Sequence, residues 1–420
     1  MLKQEINIPV IKPNTRLLKL LINKERAYAV MEKNDIEALI ASTPANVLYF
    51  SGFFSNFHWM QLVENYAIFF RDRNVEPSII FPSSLTDVFY VANSWIKDIY
   101  TYGDPVPLDR TSQTVQLEPY EQQLDGWYKK AQKEAMPADL VAQALLDKGI
   151  TKGKIALDEV WTTPPVSAKI KEKIPNAEVI NGNETIRGIR WVKTPEEIKR
   201  LGECAAITEK AIQSVYDTAK EGVTEGELID AFKTTVVQNK AQPFMLGVNA
   251  GRRTVLGNAD VSFSNYRLKR GDIIRFDVGL MYKGYCSDVA RLGSLGKPDQ
   301  ILEDRYNACI DIQRKAIEAI KPGVTADSIG TLIDKHIMEN NSLLDKMGYY
   351  GHGLGIQPDF YDFPLLKAGL PIPLEENMVM CVEVGSVETG VGSVLIEDEI
   401  VIKQDHIEFL TKSDPHLKIL

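Results

Sequence analysis

Along the chain the spacing of apolar positions changes several times, and each change predicts an element. Residues 16–33 have helical spacing, whereas IEALIAS (36–42) and VLYFSGF (47–53) are apolar runs of strand length separated by a TPAN turn. ENYAIFFRDRNVEPSIIFPSS has a hairpin pattern with Asp72, Arg73 and Asn74 at its tip. From Tyr102 to Gln123 the chain is rich in Pro, Asp, Gln and Thr without periodicity, which predicts a long surface loop. A helix in ADLVAQALLDKG, a strand in KIALDE, a helix near 165–174 and a strand in AEVIN follow. Alternation of this kind predicts a first domain over 1–185, with a mixed sheet covered by helices.

A second domain, 186–420, begins at IRGIRWVKTPEEIKRL, where Thr194, Pro195 and Glu197 form a capping box with proline at the first helical position. That domain repeats itself. AKEGVTEGELIDAF (219–232) matches IKPGVTADSIGTLI (320–333), with Val223 against Val324 at an offset of 324 − 223 = 101. In both copies a helix is expected to end at the glycine, and another to begin at a capping threonine, Thr224 or Thr325. RFDVG (275–279) likewise matches CVEVG (381–385), with Asp277 against Glu383 at an offset of 383 − 277 = 106. Asp288 follows Asp277 by 11 residues and Glu397 follows Glu383 by 14, so a pseudo-two-fold arrangement would gather four carboxylates near the axis.

The stretch GDIIRFDVGLMYKGYCSDVAR (271–291) reads as two strands joined by a Gly-containing turn. Ile273, Ile274, Phe276 and Val278 put Asp277 in a half-buried strand, where a lone carboxylate is costly. Bringing Asp288 beside it adds repulsion unless a proton or a cation lies between them. Between the two halves, YYGHGLGIQPDF holds His352 in a glycine-rich loop among Gly351, Gly353 and Gly355. An imidazole with carboxylates suits a transition metal better than magnesium or calcium. Asp277, Asp288, His352, Glu383 and Glu397 together offer donors enough for two divalent ions, with Mn, Co, Fe and Zn all admissible.

Composition narrows the partners. A net charge of −9 over 420 residues, with no Lys/Arg run, argues against nucleic acid. No run approaches 18 apolar residues and the opening lacks the apolar core of a signal peptide, so the expected place is the cytoplasm with no membrane partner. Cys204, Cys286, Cys309 and Cys381 lie far apart with no CxxC pair, and are expected to be buried free thiols.

FDVG…GYCSDVAR, GHGLG, VEVG and IED resemble the metal-ligand motifs of the creatinase, prolidase and aminopeptidase P superfamily. ANVLYFSGF and IRWVKTPEEIKRLGECAAITEKAI extend the resemblance over nearly the whole chain. It implies an α+β architecture: an N-terminal creatinase/prolidase-like α/β domain (1–185), then a pita-bread catalytic domain with an internal pseudo-two-fold repeat (186–420). It also implies two divalent metal ions, Mn foremost with Co, Fe or Zn possible, on Asp277, Asp288, His352, Glu383 and Glu397. The activity implied is hydrolysis of the carbon–nitrogen bond of an Xaa-Pro dipeptide or short peptide by a metal-bridging hydroxide, with Glu383 taking the proton, in a homodimer.

Three positions depart from the family pattern. Asp359 stands where a histidine usually follows the metal-binding one by seven residues, Asn258 where a histidine is common, and Leu395 where an arginine precedes the last motif. Asp359 and Asn258 are therefore candidates at the family's auxiliary catalytic positions. Arg252 and Arg253 are candidates to hold a substrate carboxylate by bidentate pairing, and Asp359 to meet a positive group of the substrate. The alternative function is that of a relative acting on a non-peptide, cationic small molecule, as a creatinase-like amidohydrolase or a lyase. Phe57, His58 and Trp59 are expected to form a local aromatic cluster or a rim over a partner's site.

Overall fold

The computed structural model describes residues 20–104, 115–158, 165–257, 259–339, 343–356 and 361–420. The chain divides into two compact units, Met1–Ile186 and Arg187–Leu420. Among the described residues, the first unit holds a six-stranded sheet built from β1 (Ile36–Ala41), β2 (Tyr66–Phe70), β3 (Ser78–Pro82), β4 (Asp98–Tyr102), β5 (Lys152–Leu157) and β6 (Asn176–Asn181). Its order is β4-β3-β2-β1-β5-β6, mixed as expected: β2 and β3 form the antiparallel hairpin, while β5 runs parallel to both β1 and β6. Ile40, Ile68, Ile80 and Ile155 pack against Leu140, Val141 and Leu145 of the Pro137–Asp147 helix.

Three local expectations for this unit are corrected. The first helix runs Lys24–Asn34, because Asn23 caps it by accepting from Arg26 N at 3.2 Å. VLYFSGF is not a strand: Pro44–Ser51 is a helix with Pro44 at its start, and Thr43 accepts from Asn46 N at 3.2 Å. All eight of its residues are buried, and a helix apolar on every side has no period to distinguish it from a core strand. The expected surface loop gives way to a helix at Pro119–Tyr128, where Glu121 accepts from the backbone N–H of Glu118; its middle, 105–114, lies outside the described residues. In the short helix Asn56–Trp59, His58 is buried while Phe57 and Trp59 are exposed.

In the second unit the helix Pro195–Thr218 starts at the expected box, with Glu197 Oε2 accepting from Thr194 N at 2.7 Å. The sheet that positions the site contains β7 (Gln242–Ala250), β8 (Ile273–Tyr282), β9 (Tyr285–Cys286), β10 (Val289–Ser294), β11 (Gly351–Leu354), β12 (Tyr361–Leu365), β13 (Val379–Glu388) and β14 (Gly392–Ile402). Its main path is β12-β11-β13-β14-β10-β8-β7, with β9 paired to β8. Outward from the central β10–β14 pair come β8 and β13, then β7 and β11, so the sequence repeat is a structural one. The helices Pro195–Thr218 and Gln300–Ala319 cover equivalent strands: the first packs on β8 and β10, the second on β13 and β14.

Period-two alternation sorts the side chains between the two faces of this sheet. Val382, Val384, Ile396 and Ile400 join the core with Tyr306, Ile310 and Ile317 of the covering helix. On the other half Phe276 meets Tyr216 of the first helix edge to face, with centroids 5.1 Å apart. The residues between them, including Asp277, Glu383 and Glu397, must then face the opposite side. One detail of the repeat differs from expectation. The covering helices stop at Thr218 and Ala319, and Gly222 and Gly323 take φ of 86° and 89° in the turn beyond, a conformation glycine adopts at little cost.

Candidate metal centre

The register lays the acidic residues in two rows on the face away from the helices. Asp277 is opposite Ala290, Ala290 opposite Glu397, and Glu397 opposite Glu383. Directly opposed residues share a face, so three carboxylates and one methyl group form the first row. Two positions along, Cys381 is opposite both Glu399 and His352, and Glu399 Oε1 accepts from Asp288 N at 2.9 Å. The donor atoms of Asp288, His352, Cys381 and Glu397 lie within 4.8 Å of one another. His352 Nε2 is 3.4 Å from Asp288 Oδ2 and 3.8 Å from Glu397 Oε1. Its Nδ1 lies 2.9 Å from Gly353 O, and donation there keeps the lone pair on Nε2, the tautomer a metal requires.

His352 sits on strand β11 rather than in the expected loop. The flanking glycine is needed because a Cβ at Gly353 would come within 2.6 Å of Phe363 O. Close strand packing thus drives the imidazole into the sheet, where it is fully buried.

Burial and mutual repulsion dominate the electrostatics. Asp288 is pushed up to about 6 by burial, with the charge of Asp277 adding and His352 opposing. Burial, reinforced by Asp288 and Asp277 against His352 and Arg275, pushes Glu383 up to about 8. Glu397 rises well above the carboxylate range through burial and then the charges of Asp288, Glu383 and Asp277. For His352 burial acts downward, but the hydrogen bond and charge of Asp288 outweigh it and the net direction is upward. Buried oxygens on Asp288 (Oδ1), Glu383 (Oε1), Glu397 (Oε1) and Glu399 (Oε2) have no hydrogen-bond partner among the described residues. Unpartnered acidic oxygens converging in a buried site are costly, and a divalent cation offsets that cost. The donor set therefore fits a metal, and its mixture of carboxylate and imidazole fits a first-row transition metal.

Arg252, Arg253 and Leu395 are not among the clustered donors. Arg253 Nε donates to the fully buried Glu225 at 2.8 Å, and the same carboxylate accepts from Ala250 N at 2.8 Å, so Arg253 is tied into the turn Gly251–Leu256. Arg252, in the same turn, is exposed. Leu395 is buried on β14 two residues before Glu397. Asn258 and Asp359 lie outside the described residues.

Several neighbours of the site escaped the sequence reading. Arg275 Nη2 donates to Asp277 Oδ2 at 2.8 Å, so an arginine partly meets the demand for a cation beside that carboxylate. Cys381 and Glu399 share the acidic face. All three stand two residues from a motif ligand, and strand period alone could have flagged them. Tyr361 packs on His352 with ring centroids 4.0 Å apart, and its hydroxyl lies 3.0 Å from that of Tyr349.

Comparison with known proteins gives the family. Residues 24–192 match the Creatinase/Prolidase N-terminal domain, and residues 199–404 match Metallopeptidase family M24. The uncharacterized peptidase YqhT of Bacillus subtilis (strain 168) is 32% identical over 250 residues, covering 59% of this chain and 69% of that protein. An uncharacterized peptidase of Staphylococcus aureus (strain bovine RF122 / ET3-1) is 30% identical over 235 residues, 54% of this chain; the chain spans 64% of that relative's length. Among solved structures, an X-Pro aminopeptidase from Thermotoga maritima superposes with a TM-score of 0.72 at 21% identity, covering 93% of this chain and 99% of the other. A prolidase from Pyrococcus furiosus gives 0.69 at 24% identity, covering 92% and 99%. Both share the pita-bread architecture, and with matching family models along both units the chain belongs to metallopeptidase family M24, with a creatinase/prolidase N-terminal domain.

Proposed function

We propose that the chain is a metal-dependent hydrolase of the Xaa-Pro dipeptidase or aminopeptidase P type, cleaving the carbon–nitrogen bond of a small peptide. The observation that carries this reading is the single buried face shared by Asp277, Asp288, His352, Glu383 and Glu397, three of which have unpartnered oxygens. Divalent ions held by these five residues, two of them if every ligand serves, would acidify water and polarise the scissile carbonyl. The rest falls to the chain itself. Asp288, His352 and Glu397 hold their donors together before any ion arrives. Glu383, opposite Glu397 in the ladder, accepts a proton from the attacking water and passes it to the leaving amine.

One observation favours a second reading, a cationic small molecule. Tyr349 and Tyr361 meet edge to face with centroids 6.2 Å apart beside His352, and their π faces suit an ammonium or guanidinium group. A side-by-side kcat/KM comparison decides, using Xaa-Pro dipeptides, Xaa-Pro tripeptides and cationic amides after loading with manganese or cobalt. Turnover of proline peptides supports the first reading, and turnover confined to cationic amides supports the second. Metal-loaded protein that hydrolyses neither would reject both.

A further inference from the structure

We infer that Cys381 is itself a ligand, so that the ion held by Asp288, His352 and Glu397 carries a sulfur donor and the centre selects thiophilic divalent ions over manganese. The inference rests on the metal-dependent reading and adds a ligand to it. Val382 and Val384 pack toward the covering helix, so β13 turns Cys381 and Glu383 together onto the acidic face. The cross-strand partners of Cys381 are His352 and Glu399, and its Sγ lies within 4.8 Å of donor atoms on Asp288, His352 and Glu397. Two opposed metal–ligand bonds of about 2.0–2.3 Å span nearly that distance.

Two of the other thiols, Cys204 and Cys309, show what an ordinary buried cysteine looks like here. Cys204 lies 3.6 and 3.5 Å from the carbonyls of Tyr282 and Tyr285, and Cys309 sits among Tyr306, Ile310 and Ile312 in the apolar core. Cys381 instead shares its surroundings with Asp288, Glu397 and Glu399: its thiol interacts with the Glu397 carboxylate and lies a long 3.9 Å from Asp288 O. The independent sign of a cation site is the set of unpartnered buried oxygens on Asp288, Glu397 and Glu399 around it. On coordination the S–H bond breaks, its proton leaves to solvent and a sulfur lone pair forms the metal–sulfur bond, with no change of oxidation state. A thiolate added to carboxylates and imidazole moves preference toward zinc and cobalt, which take sulfur readily, and away from manganese.

The test uses the full chain loaded with zinc or with cobalt, with metal content measured in the same samples. Zinc X-ray absorption fine structure of the wild-type protein should contain a sulfur neighbour at about 2.3 Å. The cobalt form should show a near-ultraviolet sulfur-to-cobalt charge-transfer band. Both signals should vanish in C381S, and zinc–manganese competition dialysis of that variant should shift toward manganese by about ten-fold. A wild-type shell of oxygen and nitrogen alone overturns the inference while leaving the metal reading intact, and does so whether or not C381S folds. A sulfur shell that persists in C381S also overturns it, by assigning the sulfur to another cysteine. A chain that binds no divalent ion overturns both.

Discussion

Arg275 donates from Nη2 to Oδ2 of Asp277 at 2.8 Å from a position two residues earlier on the same strand face. A residue expected to bind metal therefore already has a cationic partner, and the guanidinium competes with an ion for one of its two oxygens. Arg275→Met should strengthen divalent binding by about ten-fold, or about 1.4 kcal/mol, near the lower end for a hydrogen bond to a charged group. Calorimetric titration of metal-free protein measures the change. Weaker binding in the variant would mean that Arg275 organises Asp277 instead of competing for it.

Glu383 stands opposite Glu397 in the ladder, with one oxygen unpartnered. As the proposed proton acceptor its replacement matters more for turnover than for fold. Glu383→Gln should lower kcat by at least about 10²-fold, the scale of general acid–base assistance, and elemental analysis of the same sample separates this loss from loss of metal. Near-native turnover would move the base to another residue.

Asp362 is fully buried with Lys193 Nζ at 3.0 Å and Arg190 Nη2 at 3.4 Å. Burial acts to raise its carboxyl, but the charges of Arg190 and Lys193 prevail and hold it below the usual value. Because the folded-state value is depressed, the stabilisation is present above the unfolded-state value of 3.8 and is lost as pH falls through the folded one. Wild-type stability should therefore fall below about pH 4 along a slope that Asp362→Asn lacks. At neutral pH the same substitution should cost roughly 3–5 kcal/mol by leaving buried cations uncompensated. Urea unfolding across the acidic and neutral range measures both effects, and a variant within 1 kcal/mol of wild type would show that the cluster is not stabilising.

What the sequence made legible follows from whether a residue's neighbours lie close along the chain. The hairpin carrying Asp277 and Asp288 could be read because alternation and turn lie within one short stretch. The Thr194–Glu197 box could be read for the same reason, and the repeat because each copy is itself a short motif that recurs about a hundred residues later. The helix at Pro44–Ser51 could not, since every residue in it is buried and no polar face marks its period. Cys381 is the buried free thiol expected, but its place opposite Glu399 and His352 comes only from cross-strand register. Arg253 is held by Glu225, 28 residues upstream, a partner no local pattern reveals. The ion cluster of Asp362 joins residues 172 and 169 positions apart, beyond the reach of any local pattern.

The central β10–β14 pairing also governs the order of assembly. Asp277 and Asp288 are delivered by one half of the repeat and Glu383 and Glu397 by the other, and the halves meet where Ala290 lies opposite Glu397. More than a hundred residues of chain must be closed into a loop before that seam zips, so it forms late compared with either hairpin. An ion that binds only the finished face acts as a latch across the seam. Removing it withdraws that latch, so amide hydrogens of β10 and β14 should exchange faster in the metal-free chain than in the metal-loaded one, a difference that hydrogen exchange measures.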